Sequence, residues 1–141
     1  MVHKKKIVVT AAIIRHDGKI LITERPGGRH LEGLWEFPGG KKEAGEGLEE
    51  CVKREIREEI GIDINPYELL LTVTHEYETK IVELYAFLCS LVSGTPAPLE
   101  GQKMQWVDPE ELTLYQFPPP DQKIIEILCD GKAVRCPDQA F

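Results

Sequence analysis

The 141-residue chain has no apolar run near the ~20 residues that a membrane-spanning helix requires. It is short of positive charge: 17 Lys and Arg stand against 24 Asp and Glu, a net charge of −7. That balance argues against a protein that coats DNA or RNA, which needs a basic face. It does not exclude a phosphate ligand, because divalent cations can sit between two anions. Cysteine is sparse, and Cys51, Cys89, Cys129 and Cys136 show no paired spacing of the metal-binding kind. The opening "MVHKKKIVVTAAII" begins basic but runs straight on into "RHDGKILI", which reads as a hairpin rather than a leader. The expectation is a cytoplasmic protein with reduced thiols and no membrane partner. Repeats, linkers and low-complexity segments are also missing.

What is present fits one domain over residues 1–141, with 42% apolar and 29% charged residues. "KKKIVVTAAII" (4–14) reads as a buried strand, Asp17-Gly18 as a turn, and "ILITER" (20–25) as the returning strand. A loop follows at 25–33. "LWEF" is a short strand broken by "PGG" at 38–40. A helix runs from about Glu46 to Ile60, stopped by Gly61. Residues 67–78 and 80–92 are β-rich, 93–102 is a loop, and 103–112 is a strand turning at Asp108-Pro109. "FPPP" (117–120) reads as a stiff extended turn. A last helix spans 121–131, with Asp121 as its N-cap and Gly131 past its end, before a loosely held tail at 132–141. This order predicts an α/β fold with helices on both faces of a mixed sheet.

The helix at 46–60 poses a chemical problem. At ~100° per residue, Leu48, Val52, Ile56 and Ile60 share one face. Glu59 falls inside that apolar stripe, Glu55 at its edge, and Glu58 further round. A solvated face with helical ion pairs accounts for Glu49, Glu50, Lys53 and Arg57. It accounts poorly for Glu59, because burying an unpaired carboxylate costs several kcal/mol. A protonated acid, an arginine partner or a hard divalent cation would each resolve the conflict.

Upstream residues add a pattern. From Gly40 come five residues, Glu46, seven residues, Arg54-Glu55-Ile56, one residue, Glu58-Glu59, one residue, and Gly61-Ile62. These nine specified positions over 23 residues resemble the Nudix box, G-x5-E-x7-REU-x-EE-x-GU, where U is a bulky aliphatic residue. The resemblance implies an α/β/α sandwich that hydrolyses a nucleoside diphosphate linked to another group. It implies Mg²⁺ or Mn²⁺ held by Glu55, Glu58 and Glu59, joined by the backbone carbonyl of Gly39. Glu46 and Arg54 would pair across the helix start, and Gly40 and Gly61 would serve backbone geometry.

The flanks resemble the MutT branch of that family, which acts on oxidised nucleoside triphosphates such as 8-oxo-dGTP. They also resemble its CTP and 5-methyl-dCTP pyrophosphohydrolases. "GLWEFPGGK", "AAIIRHDGKILITER", "LEGQKMQWVDPEEL" and "FPPPDQKIIEIL" carry the likeness over roughly residues 5–130. By position, Arg25 lies near the nucleotide, Phe37 at the base, Lys80 near phosphate, and Glu100 on a loop facing the box as a further metal ligand or general base. Asp121 takes the base-reading place. Trp35 and Trp106 read as packing residues, and His30 and His75 receive no role. Bacterial 8-oxo-dGTP enzymes typically carry Asn where Asp121 stands, an amide with donor and acceptor together. The CTP-type relatives carry Asp, an acceptor suited to the exocyclic amine of cytosine. The expected protein is a metal-dependent nucleoside triphosphate pyrophosphohydrolase, monomeric or homodimeric. A hydrolase of another nucleoside diphosphate derivative and a non-catalytic nucleotide-binding module stand behind it.

Overall fold

The structure, a computed structural model, describes residues 3–25 and 33–129. His30, Gly131, Cys136 and the tail at 132–141 lie outside the described residues. Seven strands form one mixed sheet: β1 (Lys5–His16), β2 (Lys19–Glu24), β3 (Trp35–Glu36), β4 (Gly39–Lys41), β5 (Asp63–Glu76), β6 (Lys80–Ser93) and β7 (Lys103–Val107). The main path is β3-β2-β1-β6-β5. β1 and β6 are parallel, from Lys5 opposite Lys80 to Arg15 opposite Ser90. The other pairings are antiparallel. β1 is shared along one edge: its end meets β2 at Arg15 and His16, while Val9–Ala11 meets β4.

Side chains alternate across β1, which explains an apolar run interrupted only by Thr10. Ala11 and Ile13 enter a core with Ile20, Ile22, Leu88, Leu112, Ile124 and Leu128. Ala12 and Ile14 enter the opposite core with Leu21, Val52, Ile56, Ile60 and Phe87. Helix α1 (Leu48–Ile60) covers the second face, and helix α2 (Pro119–Cys129) covers the first beside a 3-10 turn at Pro109–Leu114. The α/β/α sandwich is therefore built as the sequence implied. Val52, Ile56 and Ile60 are fully buried, each contributing ~1.5–3 kcal/mol by burial. They fix the helix backbone from which the acidic residues project.

Four boundaries differ from the sequence reading. "PGG" does not end the strand region, because Gly39 and Gly40 pair with Ala11 and Thr10. A Cβ on Gly39 would collide with the Thr10 carbonyl. α1 starts at Leu48, after Gly47, whose N–H donates to Glu50 Oε1 at 3.0 Å. β5 starts at Asp63 rather than at Tyr67, accommodating Pro66 at a register shift on the sheet edge. Asp121 is not an N-cap: α2 begins at Pro119, since proline suits the first helical turn. The predicted stop of α1 is present. Gly61 is left-handed at φ 75°, and its N–H donates to the carbonyls of Arg57 and Ile56.

Candidate active site

A cavity of about 560 Å³ opens beside β1, β4 and the start of α2. Its acidic end is lined by Glu55 and Glu59 of α1 and by Glu100 from the loop between β6 and β7. Arg25, Phe37, Lys80 and Asp121 line it as well, together with Gly39. With Gly40, the chain thus brings nine of the sequence-selected residues to one cavity. Glu46, Arg54 and Glu58 do not line it.

Those three form a fastener next to the cavity. Arg54 Nε donates to Glu46 Oε2 at 2.6 Å, and its Nη2 donates to Glu46 Oε1 at 3.1 Å. The same Nη2 reaches the Lys41 carbonyl at 3.1 Å. Nη1 donates to Glu55 Oε2 at 3.0 Å and to Glu58 Oε1 at 3.1 Å. Glu46 Oε1 also accepts from the Glu43 N–H at 3.0 Å, tying the loop before α1 to the helix. The Arg54 guanidinium and the Glu43 N–H hold the Glu46 carboxyl down at about 2. Arg54 in turn is held firmly protonated, chiefly by its hydrogen bonds to Glu46 and Glu55.

Gly40 faces Glu55 so closely that a Cβ would overlap the Glu55 carboxylate. The floor under this loop is Thr10 and Cys51. Thr10 Oγ1 donates to the Gly40 carbonyl at 3.3 Å and lies 3.3 Å from Cys51 Sγ. Cys51 and Cys89 are buried free thiols, and Cys129 is an exposed one.

Glu59 is the buried acid that the helical projection singled out. Burial, then the neighbouring carboxylates Glu36, Glu55 and Glu100, push it up to about 9, against a hydrogen bond from the Gly39 backbone. Glu55 is also raised, mainly by burial, with Arg54 opposing. Oxygen-only donors crowded by mutual repulsion are suited in kind to a hard divalent cation. Among the described residues, no three His, Cys, Asp or Glu side chains are already gathered around one metal position. Arg54 instead occupies oxygens of Glu55 and Glu58. The donor set fits such an ion chemically, and Arg54 contacts only one oxygen each of Glu55 and Glu58.

Asp121, 7% exposed, also lines the cavity. Burial and Glu36 push it up to about 8, while Arg25 and a hydrogen bond from the Phe37 backbone oppose the rise. Phe37 stacks on Phe117 at 5.2 Å. Lys80 Nζ sits 5.4 Å from the Tyr77 ring centroid. Trp35 packs edge-on against Tyr115 at 5.2 Å, and Trp106 lies 6.1 Å from His16, both away from the cavity lining. His75 contacts the Tyr77 ring at 4.7 Å.

Glu36, Tyr77 and Gln102 are among the cavity residues that escaped the sequence reading. Glu36 pairs with Arg25 at 3.0 Å and adds its charge to both Glu59 and Asp121. Its signal was an acid set between two aromatics in "WEF". Tyr77, at the end of β5, gave no signal beyond ordinary strand composition. Gln102 gave no signal: it follows a turn whose Gly101 is left-handed at φ 77°, and only the fold brings its amide back to the Glu100 N–H.

Comparison with known proteins agrees with this architecture. A model of the NUDIX domain matches residues 9–127. The chain is 38% identical to the CTP pyrophosphohydrolase of Escherichia coli (strain K12), over 95% of this chain and 99% of that protein. It is 43% identical to the 8-oxo-dGTP diphosphatase of Haemophilus influenzae, over 89% of this chain and 93% of that protein. The crystal structure of the MutT protein from Methanosarcina mazei Go1 superposes with a TM-score of 0.82 at 29% identity, covering 93% of this chain and 98% of that one. With its nine box residues intact and these likenesses over nearly its whole length, the chain belongs to the NUDIX domain family, in its MutT-like branch.

Proposed function

We propose that the chain hydrolyses nucleoside triphosphates bearing a modified base, of the 8-oxo-dGTP type, to the nucleoside monophosphate and pyrophosphate. The observation that carries this reading is a single cavity lined by two chemically distinct sets of groups: the carboxylates Glu55, Glu59 and Glu100, and Arg25, Phe37, Lys80 and buried Asp121. Nudix enzymes work with divalent metal, and here Mg²⁺ is the expected ion, with Mn²⁺ as a substitute. Glu55, Glu58, Glu59, Glu100 and the Gly39 carbonyl would hold it, where it would neutralise phosphate charge and lower the pKa of water.

The chain's own groups do the rest. Arg25 and Lys80 offset negative charge on the triphosphate. Glu55 and Glu100 are the candidate acceptors for the proton of the attacking water. The water oxygen bonds to the β-phosphorus, and the bond from that phosphorus to the α–β bridging oxygen breaks. Glu46 and Arg54 keep the loop before α1 in place. Asp121, neutral near pH 7 because it titrates at about 8, offers an O–H donor and a carbonyl acceptor together. That gives it the reading capacity of an amide, which suits 8-oxoguanine.

One observation favours a second reading. Should Arg25 hold Asp121 ionised with substrate bound, the carboxylate accepts the exocyclic amine of cytosine, matching a CTP or 5-methyl-dCTP substrate. Pyrophosphate release from 8-oxo-dGTP, dGTP, CTP, 5-methyl-dCTP, 2-hydroxy-dATP and ADP-ribose, compared by kcat/KM, decides. Preference for 8-oxo-dGTP over dGTP supports the first reading, and preference for the cytosine nucleotides replaces it with the second. Either substrate belongs to the cytoplasmic nucleotide pool.

A further inference from the structure

Glu100 poses a mechanical problem. It sits on an exposed turn, closed by the Gly101 N–H to the Pro98 carbonyl at 3.2 Å, with no core packing around its side chain. Its direction is set by whatever holds its backbone. The loop from Gly94 to Gln102 lies against the end of α1. The last carbonyls of a helix lack partners inside it, and here the loop supplies them. The Ala97 N–H donates to the Ile60 carbonyl at 3.0 Å, and the Leu99 N–H to the Glu59 carbonyl at 2.9 Å. Glycines allow this approach: a Cβ on Gly94 would lie 3.1 Å from the Gly61 carbonyl, and one on Gly61 would lie 3.1 Å from Leu99.

Gln102 completes the attachment. It is 8% exposed. Its Nε2 donates to the Glu59 carbonyl at 3.2 Å, and its Oε1 accepts the Glu100 N–H at 2.9 Å. One amide thus spans the main chains of two residues whose carboxylates line the same cavity. The two roles differ in polarity, so the residue must both donate and accept. Glutamate would lose the donor, asparagine is one methylene short, and an apolar side chain would fill the space without holding either backbone.

We infer that Gln102 is a positioning residue that sets the Glu100 carboxylate relative to that of Glu59, so that both address one divalent cation. This rests on the reading above that these carboxylates share a metal. A displacement of ~1 Å at a reacting centre can cost ~100-fold in rate, so a single amide in this place has kinetic weight.

The test uses full-length protein and four forms: wild type, Glu100→Gln, Gln102→Met and the double variant. Readouts are kcat and KM for pyrophosphate release with the preferred triphosphate, Mn²⁺ affinity by electron paramagnetic resonance, and hydrogen exchange of the Glu100 amide in metal-free protein. In Gln102→Met, kcat is expected to fall ~10-fold or more with KM nearly unchanged, Mn²⁺ to bind more weakly, and the Glu100 amide to lose protection. In the Glu100→Gln background the same substitution is expected to add nothing, because the positioned group is already gone. Equal losses in both backgrounds would mean that Gln102 acts independently of Glu100, and the proposal fails. Normal kcat and Mn²⁺ affinity in Gln102→Met also overturn it. If Glu100→Gln alone leaves both readouts at wild-type values, the metal reading of Glu100 falls first, and the positioning role falls with it. If Gln102→Met does not fold, the uncharged Gln102→Asn serves. Its amide, one methylene short, cannot span both backbones, so the same losses of kcat, Mn²⁺ affinity and Glu100 amide protection are expected. Wild-type values of all three there refute the bridge.

Discussion

Asp121→Asn should flatten the dependence of folding stability on pH. In the folded chain Asp121 titrates near 8, against an ordinary 3.8, chiefly because it is buried. Between those values the native state keeps a proton that the unfolded chain has released. Stability therefore falls as pH rises, by ~1.4 kcal/mol per pH unit for one fully protonated group. Between about pH 5 and pH 7.5 that amounts to ~3 kcal/mol, or ~10 °C in Tm for a chain of this size. An asparagine keeps an acceptor for the Phe37 N–H and has nothing to ionise. The variant should match wild type near pH 4 and grow progressively more stable than it up to about pH 8. Thermal melts of both proteins across this range in chelator provide the assay. A stability difference that stays constant from about pH 5 to pH 7.5 would refute the reasoning. It would mean that Arg25 outweighs burial and that Asp121 is ionised when folded.

Other outcomes follow from the same geometry. Gly40→Ala should fold with a modest loss of ~1–3 kcal/mol yet lose most turnover, because its methyl displaces the Glu55 carboxylate; melts and kcat check both halves. Glu55→Gln or Glu58→Gln should fold and lose at least ~100-fold in kcat, and near-normal turnover in either would contradict the proposed reaction. Arg54→Gln should free the loop before α1, seen as faster hydrogen exchange at Glu43, whose N–H bonds to Glu46. In wild type, Glu46 is held at about 2, so its contribution persists above its usual pKa and disappears as pH falls through about 2. In Arg54→Gln that acid-side loss should vanish. Lys80→Ala should raise KM for the triphosphate more than it lowers kcat, measured by pyrophosphate release.

The sequence exposed the acidic flank of α1 because its placement conflicts with the helix's own apolar stripe. Glu59 had to be explained, and nine spaced residues pointed to the family. The two cores were legible for a similar reason, since a run such as "VVTAAII" can be satisfied only by burial on both faces. What stayed hidden depends on tertiary partners. Gly39 and Gly40 look like a break until Thr10 and Ala11 offer them a ladder. Pro119 looks like an extended turn until it is recognised as a helix start, and Asp121 then moves from a cap into a buried first turn. Gln102 and Glu36 are ordinary residues in isolation. Their importance arises from what folding places beside them, a carbonyl of Glu59 in one case and Arg25 in the other.

Arg54 touches Glu46, Glu55, Glu58 and a loop carbonyl at once. It is thus a resident counter-ion that belongs to the polypeptide itself. The positive charge that offsets the acidic flank of α1 is therefore built into the same helix, and the flank needs no outside cation to be partly neutralised. The fastener also joins the loop before α1 to the helix through one side chain, so a change at Arg54 reaches the loop and the acidic flank together.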